Sequence, residues 1–154
     1  KPLRITKKSD YESLFSSNFL SATNFLSNVT KILRPNSSIV LLGSAGVTRA
    51  NAAVSAYVSA KMALEGLSRS AALEFSNVGI RVNTILPGVV QTEMTKEFLE
   101  SLGDKASQEV LDRHPLGIGM PEDVANLILF LISDKSRWIT GQSLIIDGGF
   151  SIQG

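Results

Sequence analysis

The alternation of apolar and polar positions divides the chain into helices and strands in a regular order. From Ser9 onward, Leu14, Phe15, Phe19, Ala22, Phe25, Leu26, Val29, Ile32 and Leu33 recur at the spacing of one helical face. Ser9-Asp10-Tyr11-Glu12 fits a capping box, a serine with a glutamate three residues on, and Pro35 stops the helix at about Leu33 or Arg34. Ser38 to Gly43 is apolar without alternation, the pattern of a strand covered on both faces. After a loop over 44–54, a second helix is expected from about Ser55, a candidate N-cap, to Phe75 or Ser76, with Gly79 just past its end. Ile80 to Leu86 reads as a second strand, broken by Pro87-Gly88. Residues 89–113 are polar and mixed, expected as one or two short helices joined at Gly103. Pro121 suits the first position of a further helix, Glu122 and Asp123 suit the positive end of its dipole, and Val124, Leu127, Ile128 and Leu131 point inward. Ser143 to Ile146 is a third short strand, closed by Asp147-Gly148-Gly149. Helix, strand, helix, strand, helices, strand predicts an α/β fold on a parallel sheet.

Composition narrows the chemistry. The 154 residues fit one domain, and 44% hydrophobic with 19% charged residues supports a packed core. The net charge is +1 with acids and bases mixed along the chain, so no basic block points to nucleic acid or an anionic membrane surface. There is no cysteine, which excludes disulfides and thiolate metal sites. His114 is the one histidine, so a metal site is not expected, and His114 reads as a surface or loop residue rather than a catalytic one. No apolar run approaches the roughly 20 residues that span a bilayer, and the chain opens on no signal-like leader, so a cytoplasmic protein is the default reading.

Three residues carry candidate chemistry. Tyr57 and Lys61 lie one helical turn apart, so their side chains share a face. A phenol ionises near pH 10 and is a poor base, but an ammonium about 4 Å away favours the phenolate by roughly 4 kcal/mol at an effective dielectric near 20. The pair could therefore exchange a proton near neutral pH. Ser44 follows the first strand, and strand carboxyl ends are where open α/β sheets bind ligands. Asn18 falls within the apolar stripe of the first helix; its amide is either tied to backbone across the core or used on a water or ligand.

In these motifs the chain resembles the short-chain dehydrogenase/reductase family, most closely the 3-oxoacyl-acyl-carrier-protein reductase type. Tyr57-Val58-Ser59-Ala60-Lys61 matches its Tyr-x-x-x-Lys motif, Ser44 stands where the family places its serine, and Asn18 where it carries its asparagine. Gly79 to Asn83, Pro87 to Thr92, Pro121 to Ala125, Ile139 to Gln142 and Asp147-Gly148-Gly149 resemble further family segments in the same order. The resemblance implies an NAD(P)-dependent oxidoreductase acting on a ketone or secondary alcohol, with NADP slightly favoured over NAD. Tyr57 would be the general acid or base. Lys61 would lower its pKa and hold the nicotinamide ribose. Ser44 would polarise the substrate carbonyl, and Asn18 would hold a relay water through its backbone. Thr92 and the backbone near Val90 would contact the nicotinamide carboxamide, with Pro87 and Gly88 shaping the loop beneath the ring. Epimerase or dehydratase chemistry and a non-catalytic scaffold are the alternatives. The four-residue tyrosine–lysine spacing argues against the enoyl-reductase branch, which spaces the pair more widely. Segment 93–113 would form a substrate lid, and a homo-oligomer, tetramer or dimer, is expected. Ile118 departs from the arginine that the family often has after Pro-Leu-Gly, and Trp138 and Phe150 are expected as packing residues.

The family's glycine-rich phosphate loop is not among residues 1–154; Gly117-Ile118-Gly119 and Gly148-Gly149 join no strand to a helix in a βαβ unit. The chain thus reads as the carboxyl-terminal part of a Rossmann-fold domain, with the dinucleotide-phosphate-binding units expected before Lys1. Residues 1–154 alone are accordingly expected to bind dinucleotide poorly. A fluorescence titration with NADPH and NADH checks this, and tight binding by the isolated segment would sink it.

Overall fold

A computed structural model describes residues 1–49 and 52–153; residues 50 and 51 of the expected 44–54 loop lie outside the described residues. Three parallel strands, β1 (Ser38–Leu42), β2 (Arg81–Pro87) and β3 (Ser143–Ile146), form a sheet in the order β1-β2-β3. Ser38 pairs with Arg81 and Leu42 with Ile85, while Thr84 pairs with Ser143 and Pro87 with Ile146. The strands thus end together at one side of the sheet, at Gly43, Gly88 and Asp147.

The first helical region is not one regular helix. It comprises α1 (Lys8–Phe15), a π-helical turn over Ser16–Leu20, and α2 (Ser21–Val29). Its start is capped by Asp10, whose Oδ2 accepts the Lys7 N–H at 2.9 Å, rather than by the predicted Ser9–Glu12 box. Asp10 also pairs with Lys1 at 2.6 Å, while Glu12 pairs with Lys8 at 3.2 Å, so each carboxylate of the motif has another partner. The long helix α3 (Ser55–Glu74) follows, then α4 (Glu93–Leu102), α5 (Asp104–Asp112) and α6 (Pro121–Ile132). Gly79 adopts the left-handed φ of +73° expected just past α3.

The sheet is covered on both faces. Ile39 and Leu41 of β1 and Val82 of β2 point one way and pack with Leu26 of α2 and Ala71 and Ala72 of α3. The alternate positions point toward α6 and the segment that follows it: Ser38 Oγ donates to the Leu131 carbonyl at 2.8 Å, and Asn83 Nδ2 to the Ile139 carbonyl at 2.9 Å. Outside this core, Phe25 and Ile32 are exposed, so the predicted apolar stripe of the first helix is only partly covered, and Leu42 at the end of β1 is exposed as well. Among the described residues β1 has a strand neighbour on one edge only. Trp138, expected to pack, is 90% exposed; Phe150 does pack.

Arg81 holds the far face together. It is buried, and no carboxylate among the described residues pairs with it. Its guanidinium instead donates to the Leu131 carbonyl at 2.8 Å, the Ser133 carbonyl at 3.1 Å and Ser136 Oγ at 2.9 Å. The last carbonyls of α6 lack intrahelical partners and carry the negative end of its dipole, so a cation placed there satisfies both. Arg81→Met keeps the stem but removes the charged donors from carbonyls that then keep only the Ser38 and Ser136 hydroxyls; a loss of about 1.5–3 kcal/mol is expected in urea denaturation. A shift below about 1 kcal/mol would show that water replaces the guanidinium.

Candidate active site

Helix α3 carries Tyr57 and Lys61 on one face. Val54 occupies its N-cap position, and Ser55, predicted as the cap, is its first helical residue. The Ser55 hydroxyl is bonded to the Tyr11 hydroxyl at 3.0 Å, which ties α3 to α1. Lys61 Nζ lies 5.9 Å from the centroid of the Tyr57 ring and donates to the Leu42 carbonyl, at the end of β1, at 3.0 Å. One bond to a carbonyl leaves two of the three ammonium donors for other partners. Burial pushes the Lys61 ammonium below its ordinary range, because desolvation disfavours the charged form.

Ser44 stands two residues beyond β1 in extended backbone, with φ −162° and ψ 138°. Its Oγ accepts the Gly46 N–H at 3.1 Å, capping the short turn Ala45–Val47. With that acceptor role filled, the hydroxyl proton is left to be donated to an incoming oxygen.

Asn18 lies at the centre of the π-helical turn. Such turns break the regular backbone ladder and recur at functional sites. Its Nδ2 donates to the Leu14 carbonyl at 3.0 Å and to Ser17 Oγ at 3.1 Å, so the amide is tied to its own helix and not across the core. Asn18 and Lys61 line one cavity of about 280 Å³, together with Ser17, Ser21 and Leu42. Its lining is half polar and half apolar, and the space is large enough for ordered water. Tyr57 lines a different cavity of about 340 Å³, with Asp10, Leu14 and Val54. Tyr57 and Lys61 thus line separate cavities along α3.

The segment after β2 is held along one edge. Gly88 N–H donates to the Ile146 carbonyl at 2.9 Å. Gly119 N–H donates to the Val89 carbonyl at 2.9 Å, and Gln91 N–H to the Gly119 carbonyl at 2.8 Å. This one-residue parallel bridge centres on Val90. In such a bridge the N–H and C=O of the central residue face the opposite edge. Those two Val90 groups have no protein partner among the described residues. Thr92 ends the segment by capping α4: its Oγ1 accepts the Thr95 N–H at 3.2 Å and donates to Thr95 Oγ1 at 3.0 Å.

His114 lies in the loop between α5 and α6, one of its two expected placements, but it is 4% exposed rather than at the surface, and its Nε2 accepts the Val89 N–H at 3.1 Å. Composition carries no trace of this contact, since its partner is a backbone amide 25 residues away. Asp147 closes the neighbouring turn, accepting N–H bonds from Gly149 at 3.0 Å and Ser151 at 2.7 Å. Partial burial works against its ionisation, but these donors hold its carboxyl below the ordinary range. Because that pKa is depressed, the turn keeps this contribution above pH about 4 and loses it only as the pH falls further.

A family model described as Enoyl-(Acyl carrier protein) reductase matches residues 1–151, and the chain belongs to the short-chain dehydrogenase/reductase family. The 3-oxoacyl-(acyl-carrier-protein) reductase FabG of Thermotoga maritima is 37% identical over 149 residues, which are 95% of this chain and 59% of that protein. A blue fluorescent protein from a metagenomic library, in complex with NADPH, superposes with a TM-score of 0.88 at 28% identity, covering 97% of this chain and 60% of that one. A 4-hydroxyisoleucine dehydrogenase mutant complexed with NADH and succinate superposes with a TM-score of 0.88 at 31% identity, covering 99% and 64%. The chain thus spans about three-fifths of the length of these relatives.

Gly88 is where the loop and the carboxyl-terminal turn touch. A Cβ there would sit 2.8 Å from Asp147 Cα and 3.0 Å from its carbonyl oxygen, both backbone atoms. Gly88→Ala is expected to destabilise the protein by about 1–3 kcal/mol and to push the two segments apart. Thermal unfolding of the variant tests this, and an unchanged Tm would mean that the loop shifts freely.

Proposed function

We propose that the whole protein is an oxidoreductase that transfers a hydride between NAD(P)(H) and a ketone or secondary alcohol, with Tyr57 as general acid and base. The observation that carries this reading is the position of Lys61 Nζ, which lies 5.9 Å from the Tyr57 ring centroid and bonds the Leu42 carbonyl at the carboxyl end of β1, two residues before Ser44. The residues suit the dinucleotide on chemical grounds. A carboxamide offers one acceptor and one N–H pair, complementary to a backbone C=O and N–H left free on a strand edge. Val90 offers that pair three residues beyond β2, and Pro87 and Gly88 would shape the loop beneath the ring. Thr92 would join it through its hydroxyl, at the expense of a bond to Thr95.

When bound, the nicotinamide gives or takes the hydride. In carbonyl reduction the Ser44 hydroxyl donates to the carbonyl oxygen and draws charge toward it. The Tyr57 hydroxyl then gives its proton to that oxygen as the carbon receives the hydride, and alcohol oxidation reverses both movements. Lys61 stabilises the phenolate left behind and offers its remaining donors to the ribose. The cavity shared by Asn18 and Lys61 accommodates the water that would return the proton from solvent. The family model is described as an enoyl reductase, yet the relative named above is a 3-oxoacyl reductase. The four-residue spacing of Tyr57 and Lys61 favours the carbonyl substrate. Crystals of relatives hold NADPH in one case and NADH in the other, and both belong to the proposal.

A small-molecule substrate is the only partner that the chemistry requires. The exposed apolar residues Phe25 on α2 and Leu73 on α3 favour burial in a homo-oligomer. Among the described residues no helix is long and apolar enough to cross a membrane, which suits a cytoplasmic enzyme. NADPH and NADH oxidation by the whole protein against a panel of ketones tests the proposal. Tyr57→Phe is expected to lower kcat about 10²–10⁴-fold, as loss of a general acid does. Equal activity in wild type and variant overturns the assignment.

A further inference from the structure

Val89 precedes Val90 in the segment proposed to meet the nicotinamide, and a side chain holds its N–H where a neighbouring strand usually would. His114 Nε2 accepts that N–H at 3.1 Å, which places the ring proton on Nδ1, 2.9 Å from the Val110 carbonyl. The partners therefore select the neutral imidazole with its proton on Nδ1. The ring is stacked on Phe150, with centroids 5.1 Å apart and 22° between the planes. Arg49 lies over the same Phe150 ring, 5.6 Å from its centroid, and its Nη1 donates to the Phe150 carbonyl at 2.9 Å. Arg49 belongs to the loop that begins at Ser44. Arg49, Phe150 and His114 thus stack in turn, and the His114 bond to Val89 continues the connection from the serine loop to the segment after β2.

We infer that His114 is a positioning residue for the dinucleotide: by accepting the Val89 N–H it fixes the edge on which the Val90 N–H and C=O face the ligand. The inference deepens the proposed function and rests on it. Gly119 ties down only the Val89 carbonyl and the Gln91 N–H. Without His114 the Gly88–Val89 peptide plane has no bond on its N–H side and can rotate about the glycine. A rigid, buried ring anchored at both nitrogens removes that freedom before the ligand arrives, so binding does not have to supply the ordering.

The test compares His114→Leu with His114→Gln in the whole protein. Leucine removes the acceptor, while glutamine keeps a carbonyl oxygen at about the reach of Nε2. Three quantities are read: amide exchange at Val89 without dinucleotide, the Kd for NADPH and NADH by fluorescence, and kcat at saturating dinucleotide. His114→Leu is expected to speed Val89 exchange and to raise the Kd about ten-fold, the equivalent of one hydrogen bond, with kcat changed less than Kd. His114→Gln is expected to restore most of both. Should the leucine variant fail to fold, His114→Phe keeps the stack on Phe150 without an acceptor and carries the same comparison. A leucine or phenylalanine variant that binds dinucleotide as wild type does overturns the inference, as does a glutamine variant no better than leucine. A wild-type protein that binds no dinucleotide overturns the proposed function instead.

Discussion

Six consecutive buried residues of β2, Arg81 to Leu86, form the constraint on which the rest of the structure depends. A central parallel strand is covered on both faces, so its side chains meet protein rather than water, and of its polar ones the Thr84 hydroxyl finds no hydrogen-bond partner among the described residues. Val82 packs against α2 and α3. Arg81 and Asn83 bond the backbone between Leu131 and Gln142, which fastens α6 and the approach to β3. The strand also fixes where its neighbours end. Parallel register with β1 and β3 brings the turn before Ser44, the Gly88 loop and the Asp147 turn to one rim of the sheet.

At that rim the chemistry depends on how few groups are left without partners. Ser44 uses its acceptor on Gly46 and keeps its proton, and Lys61 uses one donor on Leu42 and keeps two. Val90 is held through the residues on either side of it while its own amide and carbonyl stay open. On the proposed reading, Ser44 and Lys61 are each oriented by one bond and keep further capacity for a ligand, and Val90 is held by its neighbours, which is how a site is positioned before it is filled. The π-helical turn around Asn18 adds a local departure from regular geometry beside Lys61, in a cavity the two share.

Much of this was legible in residue patterns. The apolar run at Ser38–Gly43, the glycine after α3, the proline opening α6 and the strand at Ser143–Ile146 all lie where periodicity and turn chemistry put them, because each depends on neighbours within a few residues. Ser44, Tyr57 and Lys61 were legible for the same reason, since one loop and one helical turn set their spacing. Helix caps were less so. Ser9 and Ser55 look like caps, but Asp10 and the Tyr11–Ser55 pair compete for the same groups, and only the fold decides that competition.

The sequence by itself determined the order of elements, the parallel α/β class, and the helix face that carries Tyr57 and Lys61. These follow from local sterics and from apolar spacing over a dozen residues or so. Tertiary structure alone decided what His114, Arg81 and Val90 do. Each acts through backbone groups distant along the chain: His114 on Val89, Arg81 on Leu131, and Val90 through the bridge to Gly119. Backbone amides and carbonyls are the same in every residue, so no residue pattern encodes which of them a side chain will meet.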